Sequence, residues 1–274
     1  MIAPRGSGNR GGSLGAHRRF NPLTGRWVLV STGRTARPWQ GSIEANGTVT
    51  RERFDPSCYL CPGSTRAGGE VNPEYESTYV FTNDFPALRP EDDVMATEED
   101  PLFRFESEAG TCRVVCFSPR HDLTLARMGS DSVRAVIDVW AEQTRELGSE
   151  YRWVQVFENS GAAMGASSPH PHGQIWAGSA LPGEVEAEDV RQRDYLRDHR
   201  RSMLIDYADK ESELGDRVVA SSECWLAVVP YWAVWPFEAL LLPREPVQHL
   251  HQLSDSARDD LSRVMGELLT RYDN

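Results

Sequence analysis

The 274-residue sequence has no apolar run long enough to cross a bilayer. Its longest apolar stretches, such as Trp225 to Val229 and Ala239 to Leu242, fall far short of the roughly 20 residues a spanning helix needs. The apolar segment of a secretory signal is missing too. Residues 1–17 are instead rich in Gly, Arg and Ser, and are expected to form a mobile tail on a cytoplasmic protein. Basic residues are few: 29 Lys and Arg face 41 Asp and Glu, a formal net charge of −12. Because nucleic acids are held by Lys and Arg that neutralise phosphates, neither nucleic acid nor membrane is expected as a partner. A few clustered Arg can still serve a small phosphate ester. Cysteine is sparse and odd in number at five, which argues against a disulfide framework and for a reducing compartment.

What is present is an ordinary globular composition, with 39% apolar and 26% charged residues. A chain of this length buries enough surface to fold without metals or disulfides. Short β-rich runs, Trp27 to Val30, Tyr79 to Thr82 and Arg113 to Phe117, are predicted to be strands of one antiparallel sheet. Val133, Val136, Ile137 and Trp140 recur at helical spacing, with Ser130 or Asp131 positioned to cap the helix start. Trp153 to Phe157 reads as a strand, Glu158 to Ser168 as a Gly-rich loop, and His170 to Trp176 as a further extended segment.

Part of this scheme repeats. Pro119-Arg120, Ser130-Asp131-Ser132 and Arg134 recur as Pro243-Arg244, Ser254-Asp255-Ser256 and Arg258 at a constant shift of 124 residues. Leu261, Val264, Met265, Leu268 and Leu269 form the second helical stripe. A duplicated strand-loop-helix unit follows from this. The same shift carries Tyr151, where the first copy begins its last two strands, one position past the end of the sequence, so the second unit is expected to be incomplete.

The segment His170-Pro171-His172-Gly173-Gln174-Ile175-Trp176 carries the most chemistry. Strand alternation puts His170, His172 and Gln174 on one face, about 7 Å apart, so two imidazoles and an amide are expected to line one site. Neutral imidazole is a competent nucleophile that forms a reactive phosphoramidate, retaining the energy of a cleaved phosphoanhydride for a second acceptor. The preceding loop, Asn159 to Ser168, has the small residues that let backbone N–H groups close around phosphate. Cys58-x-x-Cys61 has the spacing of two thiolates on one tetrahedral ion, but a single pair is half a zinc site and reads equally as a simple thiol pair. Cys112, Cys116 and Cys224 read as small apolar packing residues. His249 and His251 read as surface residues.

These motifs resemble the histidine-triad superfamily, in particular its galactose-1-phosphate uridylyltransferase branch, in which Gln replaces the third His, as Gln174 does here. The likeness runs from Arg18 through Phe20-Asn21-Pro22-Leu23-Thr24-Gly25, Arg37-Pro38-Trp39-Gln40-Gly41, Phe81-Thr82-Asn83-Asp84-Phe85, Trp153 to Asn159, and Trp225 to Trp232. It implies an α+β fold, a half-barrel antiparallel sheet with packed helices, internally duplicated with the second unit incomplete: residues 18–182 as one unit and 183–274 as the other.

The resemblance makes His172 the covalent nucleophile. It would attack UDP-glucose, release glucose 1-phosphate, and pass UMP to galactose 1-phosphate to give UDP-galactose, in a homodimer with ping-pong kinetics. Gln174 and Ser167, with Gly165 and Ala166 beside them, would hold phosphate oxygens, and Asn83, Asp84 and Asn159 would contact uridine and ribose. Arg34 and Arg37, a solvated basic segment by spacing alone, match a pair that reaches the neighbouring subunit's phosphate. His121 and His170 would complete a Cys₂His₂ zinc site with Cys58 and Cys61. Glu188 matches the carboxylate of a second structural iron or zinc site, yet the three His partners lie in a segment this sequence lacks, so an ordinary acidic residue is the better reading. Two other functions are carried forward: a histidine-triad nucleotidyltransferase or hydrolase for another nucleotide, such as a dinucleoside polyphosphate, and an inactive zinc-stabilised nucleotide-binding fragment.

Overall fold

The structure, a computed structural model, describes residues 15–31, 51–90, the backbone of 96–97, 100–161 and 164–273. Most of the expected tail lies outside these residues, but His17, assigned to it, opens the first strand. Strands β1 (His17–Asn21) and β2 (Arg26–Val30) form an antiparallel hairpin of their own. Asn21 turns the chain: its Oδ1 accepts from the Leu23 amide at 2.9 Å, and its carbonyl accepts from the Gly25 amide at 2.9 Å. The expectation that Trp27 to Val30 belongs to the main sheet is thereby corrected. This local turn satisfies the strand within the hairpin instead.

The main sheet comprises β3 (Tyr79–Thr82), β6 (Gly110–Cys116), β7 (Trp153–Phe157) and β8 (His172–Gly178), in the antiparallel order β3-β6-β8-β7. Between β3 and β6, the two-residue strands β4 (Ala96–Thr97) and β5 (Phe105–Glu106) pair with each other. A second sheet, β9 (Val218–Ser221), β10 (Trp225–Val228) and β11 (Leu240–Pro243), has the order β11-β10-β9. The helices are α1 (Ser130–Leu147), α2 (Gly183–His199), α3 (Met203–Leu214) and α4 (Asp255–Tyr272).

The helices α1 and α4 fall on the two copies of the sequence repeat. Both are 18 residues long, both follow a short 3₁₀ turn, and their starts agree with the sequence shift to within one residue. They pack on each other, and the repeat-related arginines each reach across. Arg134 donates to Asp255 at 2.8 Å and pairs with Asp259, while Arg258 donates to Asp138 at 2.9 Å. Their starts differ in detail: Ser254 caps α4 by accepting from the Ala257 amide at 3.2 Å, whereas Gly129 precedes α1 with no side-chain cap. Asp131 instead sits in the first turn of α1, where it complements the helix dipole.

One apolar core joins both halves of the chain. Val115, Ile175 and Ala177 of the main sheet, Val133, Val136 and Ile137 of α1, Ala220, Trp225 and Ala227 of the second sheet, and Leu261, Val264 and Leu268 of α4 form a single cluster. Burying each large aliphatic side chain is worth about 1.5–3 kcal/mol, so the helix stripes read in the sequence are sufficient to hold α1 and α4 on the sheets. Since directly opposed residues share a face, the register of β6 with β8 places His172, Gln174 and Trp176 with Cys116, Val114 and Cys112 on the face turned away from α1.

Candidate active site and metal centre

Gly173 explains how His172 comes to be aimed outward. A Cβ at this position would lie 2.7 Å from the Phe117 ring and 2.9 Å from the Phe157 carbonyl, so only glycine lets β8 lie this close to its neighbours. His172 and Gln174, on either side, are half-buried, while Gly173 and Ile175 are buried. The strand begins at His172, and His170 stands just before it, almost fully buried at 1% exposure. The ladder therefore carries His172 and Gln174, while His170, just outside it, lines the same cleft as His172 and meets the cluster packed on the Cys116 face. Pro171 precedes the ladder, and the His170 ring turns into the protein.

There His170 meets Cys58, Cys61 and His121. All four are buried, and their candidate ligand atoms lie within 4.8 Å of one another. Cys61 Sγ is 3.6 Å from His170 Nδ1 and 3.7 Å from His121 Nδ1. A tetrahedral zinc with ordinary bond lengths would separate its ligands by about 3.3–3.8 Å, so these distances fit a shared ion. The surroundings select the ligating atoms. His170 Nε2–H donates to the Ser118 carbonyl at 2.9 Å, with the Tyr75 hydroxyl 3.0 Å away, which leaves the Nδ1 lone pair for a metal. Tyr75 donates to the Leu60 carbonyl at 2.6 Å, and Asn72 donates to the carbonyls of Tyr59 and Cys61 at 2.9 and 3.0 Å, fixing the Cys-x-x-Cys turn. The Leu60 amide donates to Cys58 Sγ at 3.4 Å. Burial pushes the His170 imidazole down to about 4 and the Cys61 thiol up to about 11, so the histidine is in its ligating neutral form and the thiol must lose a proton to bind. The cluster can hold a metal ion.

The Cys₂His₂ cluster adjoins the cleft, whose lining includes Ser168, His170 and His172. His172 Nδ1–H donates to the backbone oxygen of His170 at 2.8 Å, which leaves the Nε2 lone pair free. The cleft, about 410 Å³, is lined by Arg51, Asn159, Gly161, Ala166, Ser167 and His172 among others. Gly161 and Gly165 adopt φ of 84° and 83°, conformations that favour glycine and let the loop fold back, with the Ala166 amide donating to the Gly161 carbonyl at 3.2 Å. Ser167 is exposed to the cleft, 3.2 Å from the Tyr59 hydroxyl. Ser168 is buried, accepts from the His170 amide at 3.2 Å and lies 3.7 Å from Cys58 Sγ. Burial, with Asp273 nearby, pushes the Glu158 carboxyl up to about 7 in this cleft.

Gln174 lies next to His172 on the same face, its Oε1 accepting from the Trp176 indole N–H at 3.1 Å. Asn83 and Asp84 follow β3 at the end of the sheet level with Trp176 and outside the 410 Å³ cleft; Asn83 accepts from the Phe85 amide at 3.0 Å, and Asp84 from Arg66 at 3.0 Å. Glu188 is half-buried on α2, where burial and Glu184 raise its carboxyl. Among the described residues it belongs to no metal-ligand cluster, because the only group of that kind is the Cys₂His₂ set. Arg34 and Arg37 lie outside the described residues. The supporting residues Asn72, Tyr75 and Ser118 were not legible in the sequence, since they act through backbone carbonyls brought together only by the fold. Cys112 and Cys116 are buried as expected, and burial pushes the Cys116 thiol up to about 12.

Residues 13–182 match the N-terminal domain of galactose-1-phosphate uridyl transferase, and residues 188–274 match its C-terminal domain. The galactose-1-phosphate uridylyltransferase of Haemophilus influenzae is 52% identical over 94% of this chain and 74% of its own length. The chain belongs to the galactose-1-phosphate uridylyltransferase family. The rat enzyme of that name is 50% identical over 94% of this chain and 68% of its own. Among solved structures, a uridylyltransferase shares the fold at TM-score 0.67 with 26% identity, covering 91% of this chain and 73% of that one. An ADP-glucose phosphorylase from Arabidopsis thaliana has TM-score 0.70 at 23% identity over 93% of this chain and 77% of its own, a likeness of fold. The α+β architecture with antiparallel sheets is thus that of the uridylyltransferase family.

Proposed function

We propose that this chain is a UDP-glucose:hexose-1-phosphate uridylyltransferase that works through a covalent uridylyl-His172. The observation that carries the reading is the tautomer of His172. Its Nδ1–H is committed to the His170 carbonyl at 2.8 Å, so Nε2 keeps its lone pair in the cleft that Ser167 also lines. Nε2 attacks the α-phosphorus of UDP-glucose, the bond to the β-phosphate oxygen breaks, and glucose 1-phosphate leaves with that electron pair. An oxygen of the galactose 1-phosphate group then attacks the same phosphorus, His172 departs, and UDP-galactose is released. The His170 carbonyl faces the positive charge that develops on the imidazole, in the role a carboxylate plays in a catalytic triad. Gln174 and Ser167, with the loop at Gly165 and Ala166 beside them, hold phosphate oxygens. Gln174 donates without titrating, which favours transfer to a sugar phosphate over reaction with water.

Asn83, Asp84 and Asn159 are assigned to the uridine and ribose. Asn83 and Asn159 adjoin the ends of β3 and β7 nearest Trp176 and Gln174 respectively. Arg34 and Arg37 are assigned to a phosphate across a homodimer. Zinc is the metal of the Cys₂His₂ centre, where two thiolates and two imidazoles match its preferred donors. When bound it supplies structure, holding His170 and so the carbonyl that orients His172. The reaction belongs to galactose metabolism in the cytoplasm. Isotope exchange tests it: in the absence of galactose 1-phosphate, labelled glucose 1-phosphate should enter UDP-glucose, as ping-pong transfer demands. Exchange that occurs only when galactose 1-phosphate is added would refute the covalent route.

A further inference from the structure

We propose that Trp176 is a positioning residue for the uridylyl transfer, acting through Gln174; this rests on the function proposed above. The indole Nε1–H donates to Gln174 Oε1 at 3.1 Å. Indole nitrogen has a hydrogen to give and no lone pair to offer, so the amide atom facing it must be the oxygen. That single contact settles an orientation that a glutamine otherwise chooses freely. With Oε1 held toward Trp176, the Nε2 donors project away from the indole, and among the described residues no hydrogen bond engages them. A flipped amide would instead present a carbonyl oxygen to an anionic phosphate.

The indole is itself held. Its ring meets Phe157 edge to face, with centroids 5.6 Å apart and planes at 77°. Phe157 is the residue directly opposite Gln174 on β7, and Cys112 and Gln155 lie directly opposite Trp176 on β6 and β7. The i, i+2 spacing on β8 therefore does for Gln174 what the His170 carbonyl does for His172: each reactive-face side chain has one end fixed by a neighbour two residues away, so its other end is aimed. A histidine in place of Gln174 would have both ring nitrogens constrained by the same donor, one of them obliged to accept. The Gln–Trp pair is thus a matched set, with the indole choosing the tautomer-like state of the amide.

The test uses the metal-loaded chain, Trp176→Phe, Gln174→Leu and the double variant. Trp176→Phe keeps the aromatic packing and removes the donor. Losing the orientation of one hydrogen-bonding group should slow uridylylation of His172 at saturating UDP-glucose by roughly three- to tenfold, with the melting temperature and metal content unchanged. In the Gln174→Leu background the same substitution should cause no further loss, whereas a residue that merely supports the sheet would slow both backgrounds alike. Nitrogen-15 spectra give a second readout that needs no turnover: the Trp176 indole N–H resonance, identified by its loss in Trp176→Phe, should shift in Gln174→Leu. An unmoved indole resonance, or an undiminished rate in Trp176→Phe, would overturn the proposal even when the parent chain forms the adduct. If the parent chain forms no adduct while the indole shifts, the proposed function falls, taking the positioning role with it, and only the contact stands.

Discussion

At His172 and its neighbours, function depends on which atom of a side chain is left free. His170 and His172 are two residues apart and carry the same ring, yet His170 gives its Nε2–H to Ser118 while His172 gives its Nδ1–H to His170. One is left with Nδ1 facing Cys61, the other with Nε2 facing the cleft. Gly173, between His172 and Gln174, has no room for a side chain. Gly173→Ala should destabilise the fold by about 1–3 kcal/mol through forced movement of Phe117 or β7, read as a lower denaturation midpoint, and should slow adduct formation by displacing His172. Glu158 supplies a pH dependence. Its carboxyl is pushed up to about 7 from an ordinary 4.5, so the folded chain holds a proton that the unfolded chain has lost. Stability contributed by that proton is present below pH 4.5 and is lost as pH rises toward 7, the reverse of a salt-bridged carboxylate. Above about 7 the cleft also gains a negative charge, so UMP affinity should weaken between pH 6 and 8. Glu158→Gln should remove that part of the slope, as calorimetric titration of both proteins would show.

Among the elements, the loop from Cys58 to Tyr75 is held by a small apolar cluster with Val114 and Cys116, by hydrogen bonds from Asn72 and Tyr75, and by the convergence of Cys58 and Cys61 with His121 and His170. Cys58-x-x-Cys61 was legible in the sequence as a pair, equally metal ligands or simple thiols, and His121 and His170 only through family likeness, because nothing in spacing connects residues that far apart in the chain. The structure brings them together by setting β6 between β3 and β8, so that the segments flanking these strands converge. Trp27 to Val30 shows the opposite failure. Its strand character was legible, but its partner was not, since pairing in the β1–β2 hairpin is decided by a turn whose Asn21 contacts are local. The α1 and α4 stripes were read correctly because periodicity alone determines which face of a helix is buried. Removing the metal with a chelator, or Cys58→Ser, should lower the melting temperature by several degrees and slow uridylylation indirectly through His170. Because Cys61 is a thiol without metal, pushed up to about 11, metal uptake should release protons and apparent affinity should rise with pH from 6 to 8. Pairing with a metal-sensitive dye at several pH values would check the sign.

At the scale of the whole molecule, the stretches that match the N-terminal and C-terminal domains of the family are not separate bodies. Val115, Val136 and Ile175 from the first share one apolar cluster with Trp225, Leu261 and Val264 from the second, and Arg134 and Arg258 tie α1 to α4. Heating should therefore unfold both in a single cooperative transition, with calorimetric and van't Hoff enthalpies in agreement; two resolved transitions would contradict a shared core. The same unity brings chemistry to the cleft, since its walls combine the β8 strand, the Gly-rich loop and Asp273 at the far end of α4. The central claim is that His172 becomes covalently uridylylated. The most direct measurement is the intact mass of the metal-loaded chain after incubation with UDP-glucose and an enzyme that removes glucose 1-phosphate. The account predicts a mass increase of one uridylyl group that is absent in His172→Ala. A folded, metal-loaded chain that gains no mass, or a His172→Ala variant that gains the same mass, would contradict it.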